Sequence, residues 1–98
     1  MIRVTIGRED GLTTLEVTGH SGYAEKGKDI VCAGVSTIVQ TYAFITVENG
    51  GCEEYRMGDG YLFVKAKDSK ENDIRLHMVK TALEAIEGEY PHYLMIGE

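Results

Sequence analysis

Apolar and polar residues alternate from Met1 to Gly7. Ile2, Val4 and Ile6 fall on one side and Arg3 and Thr5 on the other, which predicts a half-buried strand. Glu9-Asp10-Gly11 follows as a turn, Asp-Gly being a strong hairpin signal. Leu12 to Gly19 is the return strand, with Leu15 and Val17 facing in and Thr14, Glu16 and Thr18 facing out. From Asp29 to Glu48 the period changes. Val35, Ile38, Val39, Tyr42 and Ile45 recur at three- and four-residue steps, and the segment is too long for an ordinary strand. It predicts a largely buried helix, stopped by Asn49-Gly50-Gly51, although its many β-branched residues suit strands better. Cys52–Met57 and Tyr61–Lys67 flank Gly58-Asp59-Gly60 as a second hairpin. Leu62, Val64 and Ala66 mark one face and Tyr61, Phe63 and Lys65 the other, so cover is expected on both sides. A second helix starts at Asp68 or Ser69, with Asp68 and Glu71 spaced as a capping box. Ile74, Met78, Ala82, Ala85 and Ile86 are its expected buried face; Gly88 ends it and Pro91 reinforces the stop. Tyr93 to Ile96 is a short last strand. The order ββαββαβ predicts an α+β fold, a mainly antiparallel sheet with two helices on one face, in a single domain spanning 1–98.

Composition narrows the function classes. A hydrophobic fraction of 43% is too high for disorder. A net charge of −6 argues against nucleic acid or an anionic membrane as partner and suits a basic protein. The opening Met1-Ile2-Arg3-Val4 lacks a signal-peptide pattern, and no uninterrupted apolar run reaches about 18 residues. A cytoplasmic, reducing location is therefore expected, where free thiols are normal. Neither Cys32 nor Cys52 belongs to a Cys-x-x-Cys pair; a disulfide between them is possible by count. Scattered His20, His77, His92 and the two cysteines give no metal-ligand spacing, so neither a metal nor another cofactor is expected. Gly58-x-Gly60 lacks the strand-to-helix setting of a phosphate loop, and no Gly-x-Ser-x-Gly exists. A chain this short also gains from dimerisation.

The stretch 19–36 carries the candidate chemistry. It sets His20 at the end of a strand and Cys32 at the start of the long helix, joined by a polar segment holding Ser21, Gly22, Tyr23 and Gly27. A thiol and an imidazole brought together are the minimum for a cysteine nucleophile with its base. Asp29 is a good N-cap, which puts Cys32 in the first helical turn, where negative charge and hence a thiolate is favoured. N–H groups near Cys32 and Ala33 are candidate oxyanion donors. Ser36 lies one turn beyond Cys32 on the same face. Spacing alone favours an inert core cysteine and a surface histidine over a catalytic pair.

Gly-His-x-Gly-Tyr-Ala followed by Gly-x-Asp-Ile-Val-Cys-Ala-x-Val-Ser resembles the ribosomal-processing cysteine protease family, Prp, densely over residues 19–36. Position 34 is Gly, where small residues are usual. The resemblance implies a bacterial, cytoplasmic endopeptidase that removes a short N-terminal extension from a large-subunit ribosomal protein. It implies a His20–Cys32 dyad, with Asp29 and Ser36 as supporting positions, and a homodimer. The implied substrate is an extended apolar peptide ending in paired aromatics, cut on their C-terminal side. The 21–28 loop becomes the substrate-binding lid, with Tyr23 as one wall of an aromatic pocket. Two other readings stand beside it: a non-enzymatic dimeric module docking on ribosomal components, and a thiol hydrolase acting on small amides or thioesters.

Overall fold

The computed structural model describes residues 1–97; Glu98, the last residue of the expected domain, lies outside them. The elements are β1 (Ile2–Glu9), β2 (Leu12–Thr18), α1 (Ile30–Glu48), β3 (Cys52–Gly58), β4 (Tyr61–Lys67), α2 (Lys70–Glu89) and β5 (Leu94–Gly97). The strands form one sheet in the order β3-β4-β2-β1-β5. All pairings are antiparallel except β1 with β5. The fold is therefore the expected α+β arrangement ββαββαβ. Asp10 and Gly11 both take positive φ in the first hairpin, the conformation that matches strand twist in a two-residue turn.

Register places apolar side chains in rows across the sheet. Ile6 pairs with Leu15, Leu15 with Val64, and Val64 with Tyr55. Val4 pairs with Val17, and Val17 with Leu62. This face is covered by α1 through Val31, Val35, Val39, Tyr42 and Ala43, and by α2 through Leu76, Val79 and Leu83. By length and composition α1 meets the measure of a membrane span, with mean hydropathy 1.7, although the sequence holds no uninterrupted apolar run of that length. Its apolar stripe is packed on the sheet.

Several local expectations are corrected. Ile45, expected in the α1 stripe, is exposed, because the buried line runs through Ala43 and Thr46. Ile74 and Met78 of α2 are exposed, and Ala85 with them. The buried line there starts at Asn72. Tyr42 Oη donates to Asn72 Oδ1 at 2.5 Å, Asn72 Nδ2 donates to Thr13 at 3.2 Å, and the Thr13 hydroxyl donates to Asp68 at 2.6 Å. Asp68 is drawn into this network, so Ser69 is the N-cap of α2, accepting from the Asn72 N–H at 2.9 Å. The helix also runs past Gly88 to Glu89. Among the described residues, the two helices pack on the other face of the sheet, and Tyr61, Phe63 and Lys65 on the outer face of the second hairpin are only half-buried. Arg56 lies 4.7 Å over the Phe63 ring and pairs with Glu54 at 2.8 Å.

Candidate active site

His20 stands just beyond β2, and its backbone is pinned on two sides. Gly19 has φ +91 and donates its N–H to the Gly60 carbonyl at 2.9 Å. A Cβ at position 19 would fall 2.5 Å from the Met1 carbonyl oxygen, so only glycine fits there. The His20 imidazole is largely exposed, with Nε2 3.8 Å from Asp59 Oδ2.

The 21–28 loop is exposed except at Ser21. The Ser21 hydroxyl donates to Asp29 Oδ2 and accepts from the Tyr23 N–H at 3.1 Å. Asp29 Oδ1 accepts the Cys32 N–H at 2.9 Å, which is the N-cap bond of α1. The Ala24 N–H reaches Oδ2 at 3.4 Å. Burial pushes the Asp29 carboxyl up, but bonds from Cys32, Ser21, Ala24 and Val31 outweigh it and hold it below its ordinary value. Asp29 therefore ties loop to helix. Among the described residues, the carboxylate within ion-pair reach of the His20 ring is Asp59.

An open cleft of about 940 Å³ lies between the loop, the start of α1 and the β3–β4 turn. His20, Gly22, Gly27, Asp29, Cys32, Ala33 and Ser36 all line it. Val17, Val35 and Leu62 supply apolar lining. Cys32 is a half-buried free thiol; Cys52, also free, starts β3 and is not part of the lining. Ser21 and Tyr23 do not line the cleft. Ser21 is buried under Asp29, and Tyr23 packs edge-on against Tyr90 and Tyr93, with ring centres 5.4 and 5.3 Å away. Tyr23 is thus an anchor of the loop and not a pocket wall.

The expected oxyanion donors are also engaged. The Cys32 N–H is held by the Asp29 side chain, and the Ala33 N–H donates to the Asp29 carbonyl at 3.0 Å. What the helix start offers a developing anion here is its dipole. Sequence reasoning missed Asp59 and Gly60, which it read only as a turn. Among the described residues, no three His, Cys, Asp or Glu side chains gather as a metal site.

The cysteine protease Prp family matches residues 1–95. The ribosomal processing cysteine protease Prp of Bacillus subtilis (strain 168) is 30% identical, over 98% of this chain and 96% of its own. That of Staphylococcus aureus (strain Mu50) is 27% identical over 91% of this chain and 89% of its own. Among solved structures, the essential S. aureus Prp with a covalently linked product peptide superposes with a TM-score of 0.85 at 26% identity, covering 99% of this chain and 98% of that one. SMU.848 from Streptococcus mutans shares the fold, with a TM-score of 0.72 at 23% identity over 99% of this chain and 92% of its own. With residues 1–95 matched and its glycine-rich loop set between His20 and Cys32, the chain belongs to the cysteine protease Prp family and is a cysteine protease.

Proposed function

We propose that this protease is an endopeptidase that removes a short N-terminal extension from a large-subunit ribosomal protein, using His20 and Cys32 as its dyad. The observation that carries the reading is that both residues line one cleft at the N-terminus of α1. The Cys32 thiol gives its proton to His20, and the thiolate attacks the scissile carbonyl. His20 returns the proton to the leaving amine as the C–N bond breaks, leaving a thioester on Cys32. Water, deprotonated by His20, then attacks the thioester and releases the carboxylate product and the thiol. Helix α1 stabilises the anionic states through its dipole, and Asp29 fixes the backbone of Cys32. Ser36, one helical turn beyond Cys32, lines the same cleft. The S. aureus relative with a covalently linked product peptide supports a covalent route.

The apolar part of the cleft suits aromatic side chains, and the loop closes over the bound peptide. The net charge of −6 draws in the basic body of a ribosomal protein and raises the encounter rate. The enzyme works in the cytoplasm as a homodimer. The test is incubation with candidate bacterial ribosomal proteins, followed by sequencing of any new N-terminus. A new terminus that appears with the parent and not with Cys32→Ala supports the proposal; none from any candidate overturns it. A thiol-directed probe that labels Cys52 as fast as Cys32 favours a docking module. Turnover of small amides or thioesters with no peptide cleavage favours a thiol hydrolase.

A further inference from the structure

We propose that the β3–β4 turn is the seat of the imidazole, with Gly60 as the surface on which the ring rests and Asp59 as a positioning residue that holds it by charge. The inference rests on the reading of His20 as the base of Cys32. Three contacts converge on this turn. The Gly19 N–H, one residue before His20, is bonded to the Gly60 carbonyl at 2.9 Å. A Cβ at Gly60 would lie 2.7 Å from His20 Nε2, 3.2 Å from Cε1 and 3.3 Å from Cδ2, so the ring stands directly against that α-carbon. Asp59 Oδ2 is 3.8 Å from the same Nε2.

A base that is itself oriented by a third group is the general plan of an activated nucleophile. Asp29 does not fill that role, because its oxygens serve Ser21, Ala24 and Cys32. The charged and titratable groups around this part of the cleft are Asp59 and Tyr61 from the hairpin, Lys26, Lys28 and Asp29 from the loop, and Cys32 from α1. Lys28 is paired with Glu25 at 3.0 Å. Asp59 therefore supplies the negative charge beside the ring, favouring the imidazolium that forms when the thiol gives up its proton. Both side chains are well exposed, so the effect is modest and sensitive to salt.

The experiment measures alkylation of Cys32 by iodoacetamide against pH in the full chain, with Cys52 as internal reference. The parent is compared with His20→Ala, Asp59→Asn, Asp59→Glu, Gly60→Ala and Gly11→Ala. The rate excess that His20→Ala removes should shrink by about twofold in Asp59→Asn at low salt, because the imidazolium that accompanies the thiolate loses the charge beside it. The difference should fade near about 1 M salt, where the screening length is about 3 Å. Asp59→Glu should keep the parent profile. Gly60→Ala should lose at least about tenfold of the His20-dependent rate, since small misplacements of reacting groups are costly. Gly11→Ala controls for backbone strain: Gly11 also has positive φ, with nothing within 4 Å of an added Cβ. An Asp59→Asn profile that superposes on the parent at low salt, or a Gly60→Ala rate equal to that of Gly11→Ala, overturns the inference. A His20→Ala profile that superposes on the parent overturns the dyad, and this inference with it.

Discussion

The Cys32 backbone N–H and Asp29 Oδ1 are joined across 2.9 Å, so the carboxylate that starts α1 also fixes the residue assigned as nucleophile. The other oxygen of that carboxylate holds Ser21 and Ala24 of the loop. Helix, loop and thiol thus share one anchor. Replacing Asp29 by alanine should cost about 1–2 kcal/mol of stability in urea unfolding, with asparagine losing less. The folded-state carboxyl titrates below its unfolded value, so its stabilisation is complete above the unfolded value and fades as pH falls through the folded one. Melting temperature followed from about pH 5 to about pH 2 should therefore drop more steeply in the parent than in Asp29→Asn.

Cys32→Ala should abolish peptide cleavage, and His20→Ala should slow it by about 10²–10⁴-fold, the usual worth of a positioned acid–base group. Cys52→Ala should stay near the parent rate, because Cys52 lies outside the cleft lining. Equal losses at the two cysteines would contradict the assignment.

Tyr42→Phe removes the donor to Asn72 Oδ1 and strands a buried acceptor, at a cost of about 1–3 kcal/mol by urea denaturation. Adding Asn72→Leu should recover part of the loss, since the orphaned group goes with it. A double variant no more stable than Tyr42→Phe alone would argue against this account of the network.

The apolar cleft and the acidic charge make separate predictions for the substrate. An extension whose aromatic pair is changed to alanine should be cut slowly at low and at high salt alike. The natural extension on its basic protein should lose rate as salt rises, because charge acts on encounter. An alanine version cut as fast as the natural one would mean that the cleft does not read aromatics.

Light scattering at micromolar concentration should give twice the chain mass. Exposed Phe44, Val47, Met57, Ile74 and Met78 leave apolar surface for a second copy to cover. A monomer mass would remove the dimer from the proposal.

Much of this is legible in the amino-acid sequence. Alternation from Ile2 to Ile6 and from Thr14 to Thr18 fixes which face is buried, and Asp10-Gly11 announces its turn. Asp29 and Cys32 sit three residues apart, as a cap and its N3 position require. The burial of α2 was misread because two apolar lines, Ile74–Met78 and Leu76–Val79–Leu83, share one helix. What selects between them is Asn72, a polar residue that is buried only because Tyr42 and Thr13 satisfy it. Asp59 and Gly60 were invisible as site residues for a similar reason. Local sequence marks them as a turn, and only the pairing of β2 with β4, with Thr18 opposite Tyr61, carries that turn to His20.

The packing of Tyr23 on Tyr90 and Tyr93 makes the protein its own optical reporter. The chain has no tryptophan and six tyrosines, so half of its emitting rings meet at the point where the loop is tied to the end of α2. Movement of the loop away from that junction alters their mutual quenching without any added dye. Peptide binding can then be followed in real time by intrinsic emission, with Tyr23→Phe as the blank that separates loop motion from the remaining rings.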